Sequence, residues 1–262
     1  MNETITKEKA LAVIKQYIQK NNTFNLFEII QMRETSHTKL LAWLLDVNNK
    51  PENSLQFQFM KKFLEKINIE TQNLNDFVKL LSEDVFVKAE YHTDSGNIDI
   101  FIYSKKANFV CVIENKIDAQ ISGQSKDEKS QVERYYAFVK NYNKYENCEK
   151  KFVFFTKYLN KIKSCEQNLL DNFLYIPIEH SDTAEMISYA LKNSFVDNIV
   201  KDALVQYRDF LQYNWYDTVD DIYLPYACSL VRESYSNDEL SDDVKKVLNK
   251  FQPTPQIDAL TC

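Results

Sequence analysis

The spacing of hydrophobic residues changes character twice along the chain. In the first eighty residues apolar side chains recur every three or four positions, as Leu11, Ile14 and Ile18 do, which predicts amphipathic helices. The same spacing returns after residue 180. The helices predicted in this way are 6–20, 36–46, one opened by Ser54, 181–193, 196–213 and 241–250.

Between these helical parts lie short segments rich in aromatic and β-branched residues, a composition typical of strands. Residues 127–145, between the third and fourth segments, have helical spacing instead. A strand reached through such a helix normally runs parallel to the strand before it, through a right-handed crossover. The predicted strands are 84–91, 97–104, 109–116, 151–157 and 173–178.

The order of these elements predicts an α/β fold. We expect a mixed β-sheet core (αβββαβ) flanked by helices, with helical additions at both ends. The N-terminal helical region would be 1–83, the core 84–180 and the C-terminal helical region 181–262, in one compact domain overall. Strands 97–104 and 109–116 are apolar on both faces, so helices should cover both sides of the sheet.

Composition narrows the class of protein. With only two glycines, Gly96 and Gly123, the chain lacks the glycine-rich phosphate loops of Rossmann and P-loop proteins. Five cysteines without C-x-x-C spacing argue against a disulfide framework and a zinc site. No apolar run approaches the roughly 18 residues that cross a bilayer, and no signal peptide is evident. We therefore expect a cytoplasmic protein without membrane contact.

Charge is distributed unevenly along the chain. The formal net charge is −6, but residues 97–163 carry 13 Lys or Arg against 8 Asp or Glu, which leaves +5 there and −11 elsewhere. Phosphate binding draws on clustered Lys and Arg, but a single pair such as Lys105-Lys106 is better explained as solvated surface. The acidic flanks would repel a long duplex. The acidic helical regions make a homodimer or a protein partner a candidate.

The predicted hairpin of strands 97–104 and 109–116 carries the candidate chemistry. If the first strand's last residue faces the second strand's first, Asp99 lies directly opposite Glu114. Lys116 follows Glu114 by two residues and therefore points to the same face. The pattern predicts two carboxylates and one amine at the end of an apolar strand.

Two opposed carboxylates are unfavourable unless something neutralises them. A divalent cation would do so, and oxygen ligands of this kind suit Mg²⁺ or Mn²⁺. The alternative is a surface acid on the first strand beside a local ion pair of Glu114 with Lys116. That alternative stays open because the (D/E)-x-K pattern also begins at Asp127, Glu149 and Asp243.

The arrangement around these residues resembles the PD-(D/E)XK nuclease superfamily. Asp99 is followed fifteen residues later by Glu114-Asn115-Lys116 at the end of an apolar strand, and then by a helix beginning near Gln131. Gln131 and Tyr135 match the Q-x-x-x-Y element that several branches carry on this helix, and they lie on one helical face.

The N-terminal part is similar to a bacterial branch of the same superfamily. Its E-x-x-H-[ST] element corresponds to Glu34-Thr35-Ser36-His37-Thr38, and its L-x-W-L-L helix to Leu41-Ala42-Trp43-Leu44-Leu45. The resemblance covers about residues 27–157. The proline of "PD" is replaced by Ile98, and the glycine-rich loop near the strand entry is reduced to Gly96.

The resemblance implies a restriction-endonuclease-like fold and a role for each matching residue. Asp99 and Glu114 would bind Mg²⁺ or Mn²⁺, together with the backbone carbonyl of Asn115. Lys116 would position the attacking water or stabilise the phosphate. Gln131 joins Asp99, Glu114 and Lys116 as a catalytic candidate.

Four more residues are auxiliary candidates, each with a structural alternative. Glu34 could carry a second metal or orient water, or it could be a capping charge. His37 could contact a phosphate, or it could simply follow a helix start. Glu90 would face Asp99 in one register of the first hairpin but not in a register shifted by one residue. Tyr135 could equally be a packed core residue.

These observations predict a metal-dependent nuclease that hydrolyses phosphodiester bonds, in DNA rather than RNA. The alternative is a non-catalytic nucleic-acid- or protein-binding module of the same fold, acting within a defence or repair complex. A third interpretation is an α/β interaction protein with accidental carboxylates. The intact trio of Asp99, Glu114 and Lys116 disfavours both alternatives.

Overall fold

The computed structural model describes residues 7–22, 25–29, 32–71, 73–116, 129–157, 164–213 and 227–250. Parts of several predicted segments lie outside these residues, namely residues 1–6, 127–128, 214–226 and 251–262. The chain divides into two units: one is Phe27–Gln212, and the other combines Met1–Leu26 with Tyr213–Cys262. These borders do not coincide with the predicted ones near residues 83 and 180.

The larger unit is built on a five-stranded sheet whose strands lie side by side in chain order. The strands are β1 (Phe86–Thr93), β2 (Gly96–Ser104), β3 (Phe109–Lys116), β4 (Glu149–Thr156) and β5 (Tyr175–Glu179). The pairs β1–β2 and β2–β3 are antiparallel, whereas β3–β4 and β4–β5 are parallel. The predicted mixed sheet is confirmed, including the parallel step from β3 to β4.

The helices largely follow the predicted segments. They are α1 (Lys7–Asn22), α2 (Leu26–Ile29), α3 (Glu34–Leu45), α4 (Leu55–Lys66), α5 (Leu74–Ser82), α6 (Gln131–Asn141), α7 (Ser164–Asn172), α8 (His180–Lys192), α9 (Asn198–Tyr213), α10 (227–234) and α11 (Asp242–Lys250). The Ser54 hydroxyl caps α4 by accepting the Phe57 N–H, as predicted. Helix α6 ends before residue 145 because Tyr142 is extended, and a 3₁₀ turn follows over Asn143–Tyr145.

Helices cover both faces of the sheet, as the two-sided apolar pattern of β2 and β3 predicts. On one face, Val132 and Val139 of α6 pack with Val110 and Val112 of β3. On the other face α3 packs on β1, β2 and β3. The ring of Phe63 of α4 is stacked on Phe155 at 6.3 Å, and the ring of Phe77 of α5 lies edge-on to Phe109 at 5.8 Å. Alternate residues of β3 therefore contact different helical layers.

The registers of both hairpins bear directly on the candidate residues. Strands β2 and β3 pair from Ser104 with Phe109 to Ile100 with Ile113, so the predicted register is confirmed. The ladder stops there, one step before Asp99. Strands β1 and β2 adopt the register that would place Glu90 opposite Asp99, but pairing is interrupted at that position. Glu90 has φ 51°, a left-handed backbone that a non-glycine residue adopts only at a cost.

The smaller unit joins the two ends of the chain. Helix α1 packs against α11, with Ala10, Ile14, Val231 and Val244 in a shared apolar core. The sequence predicted separate helical additions at the two ends, and their association is a finding of the structure.

In the described residues Cys111, Cys148 and Cys228 are free thiols. No helix of that described part is long and apolar enough to cross a membrane.

Candidate active site

Three charged side chains converge at the open end of the β2–β3 hairpin. The ammonium of Lys116 lies 2.7 Å from Glu114 Oε1 and 3.9 Å from Asp99 Oδ2. A third carboxylate comes from the first residue of α3, with Glu34 Oε1 at 3.5 Å from Lys116 Nζ. Strand alternation places Glu114 and Lys116 on the face covered by α6. The predicted convergence of Asp99, Glu114 and Lys116 is therefore present.

The two carboxylates of this trio are buried, and burial raises the pKa of each. The Glu114 side chain is only 1% exposed. Burial, reinforced by the charge of Asp99, raises the pKa of Glu114 to about 8. Burial also raises the pKa of Asp99 to about 6, although Lys116 and the Asn115 N–H oppose the shift. Burial disfavours the Lys116 ammonium, but Glu114 and Asp99 outweigh it and raise the pKa of Lys116. Near neutral pH the acid pair retains a proton unless another cation is present.

The backbone of Asn115 links the two acids. Its N–H donates a hydrogen bond of 2.7 Å to Asp99 Oδ2, which takes the place of the missing ladder partner on β2. The N–H and C=O of one strand residue point toward the same neighbouring strand. The Asn115 carbonyl therefore faces the gap that holds the Asp99 carboxylate.

These groups fit a hard divalent cation. Two carboxylates and one carbonyl are the oxygen donors that Mg²⁺ and Mn²⁺ take from proteins. Glu114 Oε2 is buried and accepts no hydrogen bond within the described residues, so it is an acceptor that a cation would satisfy. Glu114 Oε1, in contrast, forms an ion pair with the Lys116 ammonium at 2.7 Å.

The protein does not supply a complete coordination shell. Among the described residues, no three His, Cys, Asp or Glu side chains are arranged to hold a metal ion by themselves. Mg²⁺ typically takes one or two protein carboxylates and completes its shell with water and substrate phosphate oxygens. The oxygen-donor set of Asp99, Glu114 and Asn115 fits that mode.

The Q-x-x-x-Y pair lies beside the trio and holds the start of β2. Gln131 Nε2 donates to the Tyr135 hydroxyl at 3.0 Å, and that hydroxyl donates to the Asn97 carbonyl. A Cβ at Gly96 would lie 3.3 Å from the same hydroxyl, and φ 123° there also favours glycine. Gln131, predicted as catalytic, thus contacts Tyr135 in this arrangement. Tyr135 in turn holds β2 at Asn97, two residues before Asp99.

The auxiliary candidates have different surroundings. Glu34 reaches Lys116 and is about one-third exposed. Glu90 lies close enough to Asp99 for its charge to contribute to the raised Asp99 pKa. His37 is fully buried, and its Nδ1 lies 3.3 Å from Asn115 Nδ2. A phosphate contact for His37, one of the two predicted roles, does not fit this burial.

Three side chains to which the sequence assigned no role, those of Asn115, Thr38 and His180, make contacts next to the trio. The Asn115 side chain was considered only for its backbone carbonyl, yet its Nδ2 also donates to Thr38 Oγ1 at 3.0 Å. His180, the first residue of α8, stacks on His37 with ring centroids 4.4 Å apart. The available signal was a polar Asn on a strand face that is otherwise apolar, as at Ile113.

A cavity of about 290 Å³ lies between α4 and α8, away from this chemistry. It is lined by Lys62, Glu65, Lys66, Asp182, Glu185 and Met186. None of the candidate residues lines it, and its lysines pair with neighbouring acids, as Lys66 does with Asp182 at 2.7 Å. The buried trio is therefore the stronger candidate for chemistry.

Comparison with protein families agrees with the fold. The family model of the PD-(D/E)XK nuclease superfamily matches residues 22–208, which include the whole sheet and every candidate residue. The chain belongs to the PD-(D/E)XK nuclease superfamily, and its mixed sheet flanked by helices is consistent with the restriction-endonuclease-like fold. Comparisons with curated proteins and with solved structures give no match.

Proposed function

We propose that this protein is a Mg²⁺- or Mn²⁺-dependent nuclease that hydrolyses phosphodiester bonds in DNA. Membership of the nuclease superfamily supports hydrolysis of nucleic acid in general. The observation that carries the metal-dependent proposal is the buried Glu114 carboxylate, which lies beside Asp99 and whose Oε2 has neither a hydrogen bond nor an ion pair among the described residues.

Each residue of the trio has a distinct part in the proposed reaction. Asp99, Glu114 and the Asn115 carbonyl would hold the cation, which when bound makes water more acidic and stabilises negative charge on the phosphate. Lys116 keeps its proton because two carboxylates raise its pKa, so its ammonium can steady the charge that develops on the scissile phosphate. Glu34 restrains Lys116 from the side of α3.

A nucleic-acid substrate is supported by the excess of Lys and Arg over Asp and Glu in residues 97–163. Helix α6, strand β4 and the segments that flank α6 carry most of the described positive charge of the core: Lys129, Arg134, Lys140, Lys144, Lys150 and Lys151. Such residues bind the phosphate backbone without regard to sequence. The choice of DNA follows the family resemblance.

The proposal predicts that Glu114→Ala abolishes cleavage and leaves binding largely intact. Plasmid and linear DNA would be incubated with wild-type and variant protein in Mg²⁺ and in Mn²⁺, with binding measured separately by mobility shift. The matched control is Glu149→Ala, which removes an acid of the same (D/E)-x-K pattern at the exposed start of β4. The control should cleave like the wild type.

Two results would contradict the proposal. An unchanged cleavage rate in Glu114→Ala would remove the site assignment. Absence of DNA cleavage by the wild type in both metals would favour a non-catalytic module, or RNA if an RNA substrate is cut. A parallel titration should show that Mn²⁺ raises the melting temperature of the wild type and not that of Asp99→Asn.

A further inference from the structure

The side chain of Asn115 points away from the reactive groups of its neighbours. On β3, Glu114 and Lys116 face α6, whereas Asn115 faces the opposite layer, where α3 packs. There its Nδ2 donates to Thr38 Oγ1 at 3.0 Å and lies 3.3 Å from His37 Nδ1. All three side chains are buried, so this polar contact is shielded from solvent.

His37 is itself held from two sides. Its ring stacks on His180 with centroids 4.4 Å apart and planes within 16°, and the ring of Tyr207 lies at 5.5 Å. Burial lowers the pKa of His37 to about 3, so the ring is neutral at physiological pH. A neutral ring with its proton on Nε2 presents Nδ1 as an acceptor to the Asn115 amide.

Stability alone does not account for an amide at this position. The residues of β3 on the same face, such as Cys111 and Ile113, are apolar and fully buried. Asn115 Oδ1 and His37 Nε2 have no hydrogen-bond partner within the described residues, and burying such groups costs free energy. An apolar residue would pack here at lower cost, which indicates that the polar contact serves the geometry of the site.

The backbone of Asn115 connects this contact to the acids. Its N–H donates to Asp99 Oδ2, its carbonyl faces the same gap, and Glu114 precedes it directly in the chain. A shift of Asn115 would therefore move the three proposed sources of oxygen ligands, Asp99, Glu114 and the Asn115 carbonyl, relative to one another.

We propose that His37, Thr38 and His180 are positioning residues that hold Asn115 so that Asp99, Glu114 and the Asn115 carbonyl present a cation site. We call these four residues, Asn115 included, the Asn115 network. The inference rests on the proposed metal-dependent function. It assigns a role in that function to the helices α3 and α8, which carry His37, Thr38 and His180. Groups behind metal ligands commonly change metal affinity by about 10- to 100-fold.

The decisive variant is His37→Phe, which keeps a ring to stack on His180 and removes the Nδ1 acceptor. The Mn²⁺ concentration that gives half of the full rise in melting temperature should increase about tenfold or more. In the metal-free protein, hydrogen exchange of a peptide covering 109–116 should become faster, because the Asn115 N–H is less well held. In cleavage assays the metal requirement should rise, with little change in KM for DNA.

A second variant and a control separate positioning from general destabilisation. Thr38→Val is nearly isosteric, removes only the hydroxyl that Asn115 contacts, and should shift Mn²⁺ half-saturation in the same direction. Ser104→Ala is the matched control, because it removes a buried hydroxyl on β2 at the turn end of the hairpin, away from Asn115. It should lower the melting temperature without changing Mn²⁺ half-saturation.

The outcomes distinguish this inference from the function on which it rests. If the wild type responds to Mn²⁺ and both His37→Phe and Thr38→Val retain wild-type half-saturation, the Asn115 network has no positioning role, although the metal site stands. If the wild type itself shows no response to Mn²⁺, the proposed metal site fails, and this inference is overturned with it.

Discussion

The two ends of the β2–β3 hairpin treat their polar groups in opposite ways. At the turn, Ser104 Oγ donates to Asp84 and accepts the Ala107 N–H, while Asp84 also accepts the Lys106 N–H. Lys106 then pairs with Glu83 in solvent. At the open end, Asp99 and Glu114 are buried together with raised pKa values, and Glu114 Oε2 has neither a hydrogen bond nor an ion pair among the described residues.

The same pair of strands carries both ends, so the difference does not come from the sheet. The turn shows that this sequence can satisfy its polar groups with short local contacts. The open end leaves a costly arrangement, which natural chains retain mainly where function requires it. The contrast therefore supports the proposal that the open end is the functional end of the hairpin.

The sharpest way to break this comparison is Lys116→Met. We expect cleavage to fall by about 10²- to 10³-fold, because the charge that steadies the phosphate is lost. The metal-free protein should lose about 3 kcal/mol of stability at pH 8, since two buried carboxylates lose their cation. Chemical denaturation in EDTA and single-turnover cleavage would measure the two effects.

The same variant should respond more strongly to metal. Mn²⁺ would take over the neutralising role of Lys116, so the rise in melting temperature should exceed that of the wild type. Lys106→Met at the turn is the matched control, because its ion pair with Glu83 is half exposed and should contribute little. Equal losses of stability in the two variants would remove the contrast between the ends.

A second prediction concerns pH in the absence of metal. An acid with a raised folded-state pKa binds its proton more tightly when folded, so its contribution to stability falls as pH rises. For Glu114 this window runs from its ordinary value of 4.5 to about 8. Relative to Glu114→Gln, the wild type should lose about 1 to 3 kcal/mol between pH 5 and pH 8. Denaturation curves in EDTA would show it.

Saturating Mn²⁺ should remove most of that pH dependence, because the cation replaces the proton on the acid pair. If the stability of the wild type and that of Glu114→Gln change in parallel from pH 5 to pH 8, the pKa of Glu114 is not raised in the folded protein. The open end would then resemble the turn, and the main argument for a metal site would be lost.

The smallest expected effect is that of Tyr135→Phe. Removing the hydroxyl frees the Asn97 carbonyl near Asp99 and should cost about 1 kcal/mol of stability. Cleavage should fall only severalfold, because the trio itself remains. Tyr136→Phe is the control, since that ring packs on Phe152 from the same helix and does not hold β2. A loss of the same size in both variants would reduce Tyr135 to a packing residue.

Much of the sheet could be predicted from local pattern. Strand β3 was predicted with its observed bounds because its apolar run is limited by the turn at Asn108 and the charge at Lys116. The four-residue turn then fixed the β2–β3 register, and with it the approach of Asp99 to Glu114. The crossover through α6 followed from its helical spacing between two strands.

Other features left no local signal. His37 and Asn115 are 78 residues apart in the chain, and only the packing of α3 on the sheet brings them together. The left-handed backbone of Glu90 interrupts the first hairpin within a segment whose composition is ordinary for a strand. The association of α1 with α11 joins opposite ends of the chain, which periodicity within each helix cannot reveal.

The order of the strands has a practical consequence for work with inactive variants. Strands β2 and β3 are interior strands, each hydrogen-bonded on both sides. Neutralising their acids therefore exposes no strand edge that could pair with another molecule. The edge strands, β1 and β5, are the ones that could pair with other molecules. In β1, the charge of Lys88 and the left-handed backbone at Glu90 disfavour such pairing. Catalytically dead forms should therefore stay monodisperse, which suits them for trapping and identifying a bound substrate.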